Sequence, residues 1–328
     1  MLSVSTADLP TFDDVVAAHD RLLGRVLRTP VLNVARFDAR VGRRVLFKCE
    51  NLQHVGAFKL RGATNALLQL ESVSRVVATH SSGNHGAALA RAARERGWRC
   101  IVVVPRDASA VKLQAIRAEG AELVECEPGL VAREAALGEV VARSGAVVVH
   151  PFDDARVIAG QGTAALELLS EHPDIHVLTA PVGGGGLLSG TAIAAKAMVP
   201  SCCVIGVEPE MADDAARSFH GGQRVGVQGS PATIADGLRG SIGIRPYAIF
   251  KSLVDDVLTV SESAIVHAMR VALEDLRLLI EPSSAVSLAA LIEGRLGRPG
   301  ETIGVILSGG NVDLSVCPFL AGRSPRSA

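Results

Sequence analysis

The middle of this chain alternates short apolar strands with alanine-rich helices. Four strand-like segments separated by helical patterns lie at residues 76–79, 100–104, 122–126 and 146–150. Consecutive parallel strands need a crossover of roughly a dozen residues, usually a helix, and such crossovers are almost always right-handed. Further strand-like segments lie at residues 44–49, 177–182, 204–208 and 302–307. The pattern predicts an α/β protein with parallel or mixed sheets flanked by helices.

The alternation breaks at residues 151–154, Pro-Phe-Asp-Asp, which we interpret as the return from a small lobe to a larger one. A chain of 328 residues is long enough to form two lobes. We predict that a small domain, residues 75–151, is inserted in a large domain formed by residues 1–74 and 152–328. Residues 323–328 have the composition of a frayed tail.

The bulk composition excludes several classes of partner. The formal net charge is −1 and no long basic block occurs, so we expect neither nucleic acid nor an anionic membrane as a partner. No uninterrupted apolar run reaches membrane-spanning length. The six cysteines form no Cys-x-x-Cys pair, and residues 1–10 lack a basic segment followed by an apolar one. We therefore expect reduced thiols rather than a disulfide framework, and a cytoplasmic protein.

Lys59 is a candidate nucleophile. It follows Phe58, a glycine-bearing turn and the strand-like residues 44–49, and it precedes a helical pattern over Leu60–Leu70. An amine packed at such a helix start loses hydration, which lowers its pKa, and a neutral amine can form a Schiff base with an aldehyde. Most lysines are instead solvated surface charges, and these residues alone favour that interpretation. The other loops of the chain decide between the two.

A run of four glycines, Gly183–Gly186, joins a predicted strand to a helix that starts near Leu187. Glycines let backbone N–H groups converge at a helix N-terminus, where the helix dipole favours a phosphate. A flexible linker is the alternative, but a linker is not flanked directly by a buried strand and an alanine-rich helix. No Gly-Lys-Ser/Thr follows, and the spacing differs from the dinucleotide fingerprint, which argues against nucleotide hydrolysis and hydride transfer.

Two further loops carry polar groups. Residues 80–86, His-Ser-Ser-Gly-Asn-His-Gly, offer hydroxyls, an amide and backbone N–H groups that suit a carboxylate, although the same residue types are common in turns and helix caps. Residues 307–311, Leu-Ser-Gly-Gly-Asn, place the hydroxyl of Ser308 at the carboxyl end of a strand predicted to be buried.

An acidic segment lies at residues 208–214, Glu-Pro-Glu-Met-Ala-Asp-Asp. Its carboxylates and carbonyls are hard oxygen donors, which suit magnesium, calcium or manganese rather than zinc. The alternative is an acidic cap on a helix that begins near Asp213, and the spacing alone favours the cap. The residues by themselves leave both interpretations open.

Five motifs occur in order: Gly-Ala-Phe-Lys-Leu-Arg-Gly-Ala, Ser-Ser-Gly-Asn-His-Gly, Ile-Ala-Gly-Gln-Gly-Thr, Gly-Gly-Gly-Gly-Leu and Leu-Ser-Gly-Gly-Asn. With them, the chain resembles serine racemase and the serine/threonine dehydratases from about Phe12 to Phe319. Those proteins are pyridoxal-phosphate enzymes with the tryptophan-synthase β-like fold, fold type II. The resemblance implies this two-lobed fold, with the small domain inserted in the large one, and pyridoxal 5'-phosphate as cofactor.

The same resemblance implies roles for individual residues. Lys59, next to Phe58, would form the Schiff base with the cofactor aldehyde. The other implied cofactor-binding residues are Gly183, Gly184, Gly185, Gly186 and Leu187 for the phosphate, Asn84 for the ring hydroxyl and Ser308 for the pyridine nitrogen. The implied substrate-binding residues are Ser81, Ser82, Asn84, His85 and Arg133. The implied ligands of a divalent cation are Glu208, the Ala212 carbonyl and Asp214.

The reaction implied by the resemblance is β-elimination from L-serine or L-threonine, giving a 2-keto acid and ammonia. Lys59 would take the Cα proton. Ser82, on the opposite face, would return a proton if the enzyme also racemises serine. The resemblance further implies a small amino-acid substrate and a homodimer, and it leaves nucleotide regulation open.

The chain departs from the animal serine racemases at His54, Val55, Ala57 and Phe152. The animal serine racemases carry asparagine at the position of Phe152, and in this respect the chain resembles the threonine dehydratases instead. The ratio of racemisation to elimination therefore stays open. The nearest alternative is a dehydratase or racemase for another β-hydroxy amino acid, such as threo-3-hydroxyaspartate. A β-replacement synthase fits Ser82 and the acidic segment less well. A non-catalytic ligand-binding homologue conflicts with the intact Lys59 and Ser308.

Overall fold

The computed structural model describes residues 8–227, 229 and 231–319. The strands are β1 (Val31–Leu32), β2 (Arg44–Cys49), β3 (Val76–His80), β4 (Arg99–Pro105), β5 (Glu122–Cys126), β6 (Val147–Val148), β7 (Val177–Pro181), β8 (Cys203–Pro209), β9 (Asp256–Val260) and β10 (Thr302–Leu307). The helices are α1 (Phe12–Leu22), α2 (Ala35–Val41), α3 (Lys59–Leu68), α4 (Asn84–Arg96), α5 (Ala110–Ala118), α6 (Leu130–Ser144), α7 (Ala155–Glu171), α8 (Gly186–Met198), α9 (Asp214–Gly221), α10 (Ile244–Leu253), α11 (Glu262–Val271) and α12 (Pro282–Ile292). Residues 323–328, for which a frayed tail is predicted, lie outside the described residues.

The strands form two sheets. In the larger sheet the order is β1-β2-β10-β7-β8-β9, and every neighbouring pair is parallel except β1 and β2. In the smaller sheet the order is β5-β4-β3-β6, and all pairs are parallel. The smaller sheet and its connecting helices α4, α5 and α6 fall within residues 76–148. The two sheets confirm the predicted α/β class with parallel and mixed sheets flanked by helices.

β7 and β10 lie in the interior of the larger sheet, and all their residues are buried. Leu178 and Ile306 belong to a core cluster shared with α7 and α8, whereas Val177 and Val305 belong to another cluster, shared with α11 and α12. Because helices cover both faces, these strands are nearly continuous apolar runs, interrupted by Thr179 in β7 and begun by Thr302 in β10, without polar alternation. Among the residues described, no helix is both long and apolar enough to cross a membrane.

Some boundaries differ from those expected from the sequence. The amphipathic pattern of residues 12–27 predicts a first helix of that length, but the helix ends at Leu22. Its N-cap is Thr11, whose side chain accepts the Asp14 N–H while the Asp14 carboxylate accepts the Thr11 N–H. The sequence analysis did not predict β1, α2, β9 or α10. β1 has only two residues, and α2 and α10 begin without a side-chain cap, so their starts carry little local signal.

Candidate active site

The polar loops of the sequence analysis follow parallel strands at the carboxyl edges of the two sheets. β2, β10, β7 and β8 are parallel neighbours, so the loops after them lie at one edge of the larger sheet. In strand order, these loops lead to Lys59, Ser308, the glycine run and the acidic segment. The Ser-Ser-Gly-Asn loop follows β3 of the smaller sheet. Ligands of open α/β sheets bind outside the carboxyl ends of the strands, so this region is the candidate active site.

Hydrogen bonds join the loops that follow β2, β10 and β3. The Phe58 N–H donates to the Ser308 carbonyl at 3.0 Å. Asn311 Nδ2 donates to Asn84 Oδ1 at 2.9 Å and to the Val55 carbonyl at 2.7 Å. Ser308 itself is buried at the end of β10. Groups from both sheets therefore converge on one place.

Lys59 is the first residue of α3 and is half-buried. Its Nζ donates a hydrogen bond to the Pro151 carbonyl at 2.8 Å and lies 5.1 Å from the centroid of the Phe58 ring. Burial lowers the pKa of the Lys59 amine from 10.5 to about 8, and the Glu281 carboxylate opposes this shift. A substantial fraction of the amine is therefore neutral in mildly alkaline solution, as a nucleophile or a base requires.

The Ser-Ser-Gly-Asn turn leads directly into α4. Gly83 precedes the helix, and no side chain caps the first turn. Ser81 and Ser82 are half-buried, and Ser81 Oγ accepts the Gly83 N–H at 3.4 Å. Backbone N–H groups without a side-chain cap, beside two hydroxyls, favour an anion such as a carboxylate.

Three histidines lie in the same region, of which the sequence analysis singled out only His85. His85 Nε2 lies 3.1 Å from the Val149 carbonyl oxygen. Because a carbonyl only accepts, Nε2 carries the hydrogen, and the buried Nδ1 has no partner among the described residues. The rings of His80 and His150 meet edge-on, with centroids 5.8 Å apart. Burial lowers the pKa of all three imidazoles, that of His150 to about 4, so all three are neutral at physiological pH.

The glycine run forms the turn between β7 and α8. Gly185 precedes the helix with a φ of +87°, a conformation in which a side chain would be strained, and no side chain caps α8. A Cβ at Gly184 would lie 2.2 Å from the Phe152 ring, so only glycine fits there. Leu187 is buried in the first turn of α8. The start of this helix has the features of a phosphate-binding N-terminus.

Glu281 is a site residue that the sequence analysis missed. It precedes α12, whose first residue is Pro282, and it is buried. Its N–H donates to the Gly309 carbonyl at 3.0 Å, and its Oε1 accepts a hydrogen bond from Asn84 Nδ2 at 2.8 Å. Burial raises the pKa of Glu281 to about 7, and the charge of Lys112 opposes the shift. A glutamate directly before a helix-starting proline is the sequence signal that marks this position.

Glu208 and Asp214 of the acidic segment are both fully buried. Glu208 Oε2 accepts the Ala216 N–H at 2.8 Å, and Asp214 Oδ2 accepts the Ile242 N–H at 2.7 Å. The second oxygen of each carboxylate is buried without a hydrogen-bond partner among the described residues. Burial raises the pKa of Glu208 well above its usual range, with the Asp214 charge adding to the shift, and burial raises the pKa of Asp214 to about 6.

The helix cap expected from Asp213 is not formed. Asp213 precedes α9, but its side chain accepts a hydrogen bond from Arg217 at 2.8 Å, while Glu208 accepts an N–H of the first helical turn. Ala212 is buried in the short 3₁₀ turn between the two carboxylates. Within the residues that the structure describes, no group of three or more His, Cys, Asp and Glu side chains is placed to hold a metal ion. The ligands of a cation bound at this place would be the two carboxylates and the Ala212 carbonyl.

Arg133 lies in the first turn of α6 and is half-buried. Its Nε donates to the Gly129 carbonyl at 3.3 Å. After burial, its charge is the largest contribution to the lowered pKa of His80. The structure therefore places Arg133 within electrostatic reach of His80 but, among the described residues, not in hydrogen-bond contact with the loops above.

Comparison with known proteins identifies relatives along almost the whole chain. The family model described as "Pyridoxal-phosphate dependent enzyme" matches residues 22–309. The β-hydroxyaspartate dehydratase of Paracoccus denitrificans (strain Pd 1222) is 42% identical over 313 residues, which cover 95% of this chain and 99% of that protein. The serine racemase of Dictyostelium discoideum is 44% identical over 310 residues, covering 93% of this chain and 96% of that protein.

Solved structures share the fold. Maize serine racemase matches with a TM-score of 0.90 at 42% identity, covering 93% of this chain and 95% of the other. The threonine deaminase of T.th. matches with a TM-score of 0.88 at 42% identity, covering 93% of this chain and 99% of the other. These matches confirm the fold type II architecture expected from the motifs.

Proposed function

The chain belongs to the pyridoxal-phosphate dependent enzymes, and on that premise we propose that it catalyses β-elimination from L-serine or L-threonine to a 2-keto acid and ammonia. The proposal includes racemisation of serine as a second activity of the same site. One observation carries it. Lys59 presents a half-buried amine, whose pKa burial lowers to about 8, at a helix start bonded to the Ser308 loop through Phe58.

The chain's own groups fit pyridoxal phosphate. We assign the phosphate to the backbone N–H groups of Gly183–Leu187, where α8 starts without a cap and where a Cβ at Gly184 would meet Phe152. We assign the ring hydroxyl to Asn84 and the pyridine nitrogen to Ser308, both in loops joined by hydrogen bonds. When bound, the cofactor would supply an electron-withdrawing ring conjugated with the substrate nitrogen, which acidifies the Cα proton.

Lys59 would take that Cα proton. Its lowered pKa makes the neutral amine accessible, and the Pro151 carbonyl and the Phe58 ring orient its Nζ. The substrate carboxylate would bind at the uncapped start of α4, near Ser81, Asn84 and the neutral His85. We also assign Arg133 to the substrate carboxylate, because its positive charge lowers the pKa of His80 at the end of β3.

Racemisation needs a second proton-transfer group on the face opposite the lysine. We assign that role to Ser82, a half-buried hydroxyl in the turn before α4. A serine hydroxyl is a poor acid, so a neighbouring group has to adjust its proton affinity. The buried Nδ1 of His85, which lacks a partner among the described residues, is a candidate for that group.

The proposal is tested by assaying holoenzyme with serine, threonine and 3-hydroxyaspartate, measuring keto acid and D-amino acid in parallel. Borohydride should fix the cofactor on Lys59, where peptide mapping would locate it. Lys59→Ala should abolish both trapping and turnover, whereas Lys251→Ala, at an exposed lysine, should change neither. Trapping at another residue, or keto-acid production by Lys59→Ala without added amine, would contradict the assignment.

Ser82→Ala tests the racemase part of the proposal. L-to-D conversion should fall at least about tenfold, since acid–base groups contribute at least that much, while elimination from the L-substrate falls much less. Ser81→Ala is the matched control, because Ser81 is assigned only to the carboxylate. Equal loss of both activities in Ser82→Ala would mean that Ser82 binds the carboxylate and moves no proton.

We also propose that Glu208, the Ala212 carbonyl and Asp214 bind a divalent cation, one of magnesium, calcium or manganese. The support is the pair of buried carboxylate oxygens without hydrogen-bond partners among the described residues. Oxygen donors of this kind suit hard cations. A bound cation would stabilise the ionised forms of two carboxylates whose pKa values burial raises.

A second candidate substrate is threo-3-hydroxyaspartate. Lys112, at the start of α5, pairs with Asp236, and its charge acts on Glu281. The residues after Asp236, Gly237 and Leu238, lie against Gly183 of the glycine run. A second substrate carboxylate, which serine lacks, would find a cation there. The similarity to the dehydratase of Paracoccus denitrificans points the same way. Lys112→Ala should then lower kcat/KM for hydroxyaspartate more than for serine, and an equal decrease for both would contradict this candidate.

We further propose a cytoplasmic homodimer, with residues 75–151 as a small lobe and residues 1–74 with 152–328 as a large one. The smaller sheet lies wholly within the proposed small lobe. The six thiols are unpaired, as expected in a reducing compartment. Light scattering, cell fractionation and limited proteolysis test the three statements separately.

A further inference from the structure

Four charged side chains are buried together beside the candidate active site: Lys48, Glu50, Arg61 and Glu167, here called the charge network. Lys48, Glu50 and Arg61 are fully buried, and Glu167 is nearly so. Two positive and two negative charges make the network neutral. None of the four has a part in the chemistry proposed above. Burying charges is costly even when they are paired, so the network calls for a function.

Arg61 is the centre of the network. Its Nε and Nη2 donate to the two oxygens of Glu50, both at 2.8 Å. Its Nη1 and Nη2 donate to the two oxygens of Glu167 at 2.7 and 2.9 Å. Nη1 also donates to Thr163 Oγ1 at 3.1 Å, and Nη2 to the Leu27 carbonyl at 3.2 Å. This planar fork makes two hydrogen bonds to each carboxylate, and a lysine ammonium, with three N–H donors, has too few for all four.

Lys48 supplies the second positive charge from a different element. It lies on β2, and its Nζ donates to Glu167 Oε2 at 2.6 Å and to the Thr29 carbonyl at 2.7 Å. Thr29 Oγ1 in turn donates to Glu50 Oε1 at 2.5 Å. Lys48 thus balances the charge of the network, and its hydrogen bonds among the described residues go to Thr29 and Glu167 rather than to α3.

Arg61 lies two residues after Lys59, in the first turn of α3. The N-cap residue, Phe58, has no side-chain acceptor for this turn, so the usual local device for fixing a helix start is missing. Arg61 instead ties the turn to the end of β2 through Glu50 and to α7 through Glu167. The acceptor of the Lys59 amine, the Pro151 carbonyl, stands in the segment that leads into α7.

α3 and α7 pack with their backbones in contact. A Cβ at Gly62 would lie 2.7 Å from the Val157 carbonyl oxygen, and a Cβ at Gly160 would lie 2.7 Å from the Arg61 carbonyl oxygen. The Gly62 N–H donates to Gln161 Oε1 at 3.0 Å. Because close-packed interiors contain little free volume, a change in the anchor of α3 is transmitted to the start of the helix.

We propose that Arg61 is a positioning residue for Lys59: by anchoring the uncapped first turn of α3 to Glu50 and Glu167, it sets where the Lys59 amine lies. This inference rests on the proposed role of Lys59. The anchor also keeps the amine against Pro151 and poor in water. A looser helix start hydrates the amine, whose pKa then moves from about 8 back towards 10.5.

The test compares holoenzymes of the wild type, Arg61→Met and Lys48→Met. Both variants remove one positive charge from the network, but only Arg61 lies on α3, so Lys48→Met is a matched control. Melting temperature, borohydride trapping at Lys59, and kcat and KM across pH are measured for each. Both variants should melt at lower temperature. Only Arg61→Met should lower kcat, by about tenfold to a hundredfold, and move the acid limb of its pH profile to higher pH.

A second variant separates charge balance from anchoring. Arg61→Met combined with Glu50→Gln leaves Lys48 and Glu167 as a neutral pair. Its melting temperature should recover relative to Arg61→Met, while kcat and the pH midpoint stay altered. If Arg61→Met does not fold, Arg61→Lys replaces it, because it keeps the charge without the fork and should show the same pH shift.

Two results would overturn the inference: an equal pH shift in Lys48→Met, or recovery of kcat together with melting temperature in the double variant. Either would mean that the network only stabilises the fold. A wild-type protein that traps no cofactor at Lys59 would overturn the proposed function, and this inference with it.

Discussion

Two buried pairs of carboxylates stand in opposite electrostatic environments in this protein. Glu50 and Glu167 share the guanidinium of Arg61, and Glu167 also binds Lys48. Burial disfavours ionisation of Glu167, but the hydrogen bond and charge of Arg61 and the charge of Lys48 outweigh it, so the pKa of Glu167 is lowered. Glu167 is therefore ionised at neutral pH.

Glu208 and Asp214 show the reverse. Both are fully buried, each has one oxygen without a partner among the described residues, and burial raises the pKa of both. The difference teaches that buried acids have no fixed effect on stability. Where the chain supplies the positive charges, the acids form part of the fold, and where it does not, we propose that they bind a cation from solution.

Replacing one acid of each pair should give the largest contrast. In chelator-treated protein, Glu167→Gln should lower the free energy of unfolding by about 3–5 kcal/mol, because it leaves two buried cations facing one carboxylate. Glu208→Gln should cost little or stabilise the protein, because it removes one of two adjacent acids and keeps an acceptor for the Ala216 N–H. Urea unfolding measures both. Equal losses of free energy of unfolding in the two variants would contradict the difference drawn between the two pairs.

Returning a cation to chelator-treated protein should give the next largest effect. Magnesium, calcium or manganese at a hundred times its Kd should stabilise the fold by about 2.7 kcal/mol, by mass action on a folded-state site. Glu208→Gln should lose this response, and Glu167→Gln, the matched control, should keep it. A melting temperature of the wild type that does not change with cation or chelator would contradict the cation site and leave Glu208 only as an acceptor for the first turn of α9.

Lowering the pH should reduce the stability that Glu167, of the pair Glu50 and Glu167, gives to the folded protein. The pKa of Glu167 lies below its ordinary value of 4.5 in the folded protein, so the stability it confers is present above pH 4.5 and is lost as the pH falls through the lowered value. Between about pH 6 and about pH 3, the free energy of unfolding should fall more steeply in the wild type than in Glu167→Gln. If the free energy of unfolding changed with pH in the same way in both proteins, the pKa of Glu167 would be the same in the folded and the unfolded state.

An exposed pair should show the smallest effect and so isolate the part played by burial. Arg270 and Glu274 form an ion pair one turn apart on α11 and the π-helical turn that follows it, with both side chains more than half exposed. Glu274→Gln should change the free energy of unfolding by no more than about 0.5 kcal/mol, because water screens the pair. A loss as large as that of Glu167→Gln would mean that pairing, rather than burial, makes the network important.

Some elements and site residues were predicted correctly from the sequence and others were missed. The bounds of Glu122–Cys126 and Thr302–Leu307 coincide with those predicted, because strand patterns are local. The glycine run and the helix start at Lys59 were identified for the same reason. Glu281 was missed, since its hydrogen-bond partner Asn84 lies 197 positions away in the chain. His80 and His150 were missed because only the pairing of β3 with β6 brings their rings together.

By itself, the sequence determined the alternation of strands and helices, the order of the polar loops and the family motifs, since all of these depend on short-range patterns. Only the tertiary structure decided which buried acids receive cations. Arg61 meets Glu50 across 11 positions and Glu167 across 106, while no such partner reaches Glu208 in the part of the chain that the structure describes. The free energy of a buried charge depends on the distances to other charges and to water, and neighbours along the chain do not specify those distances.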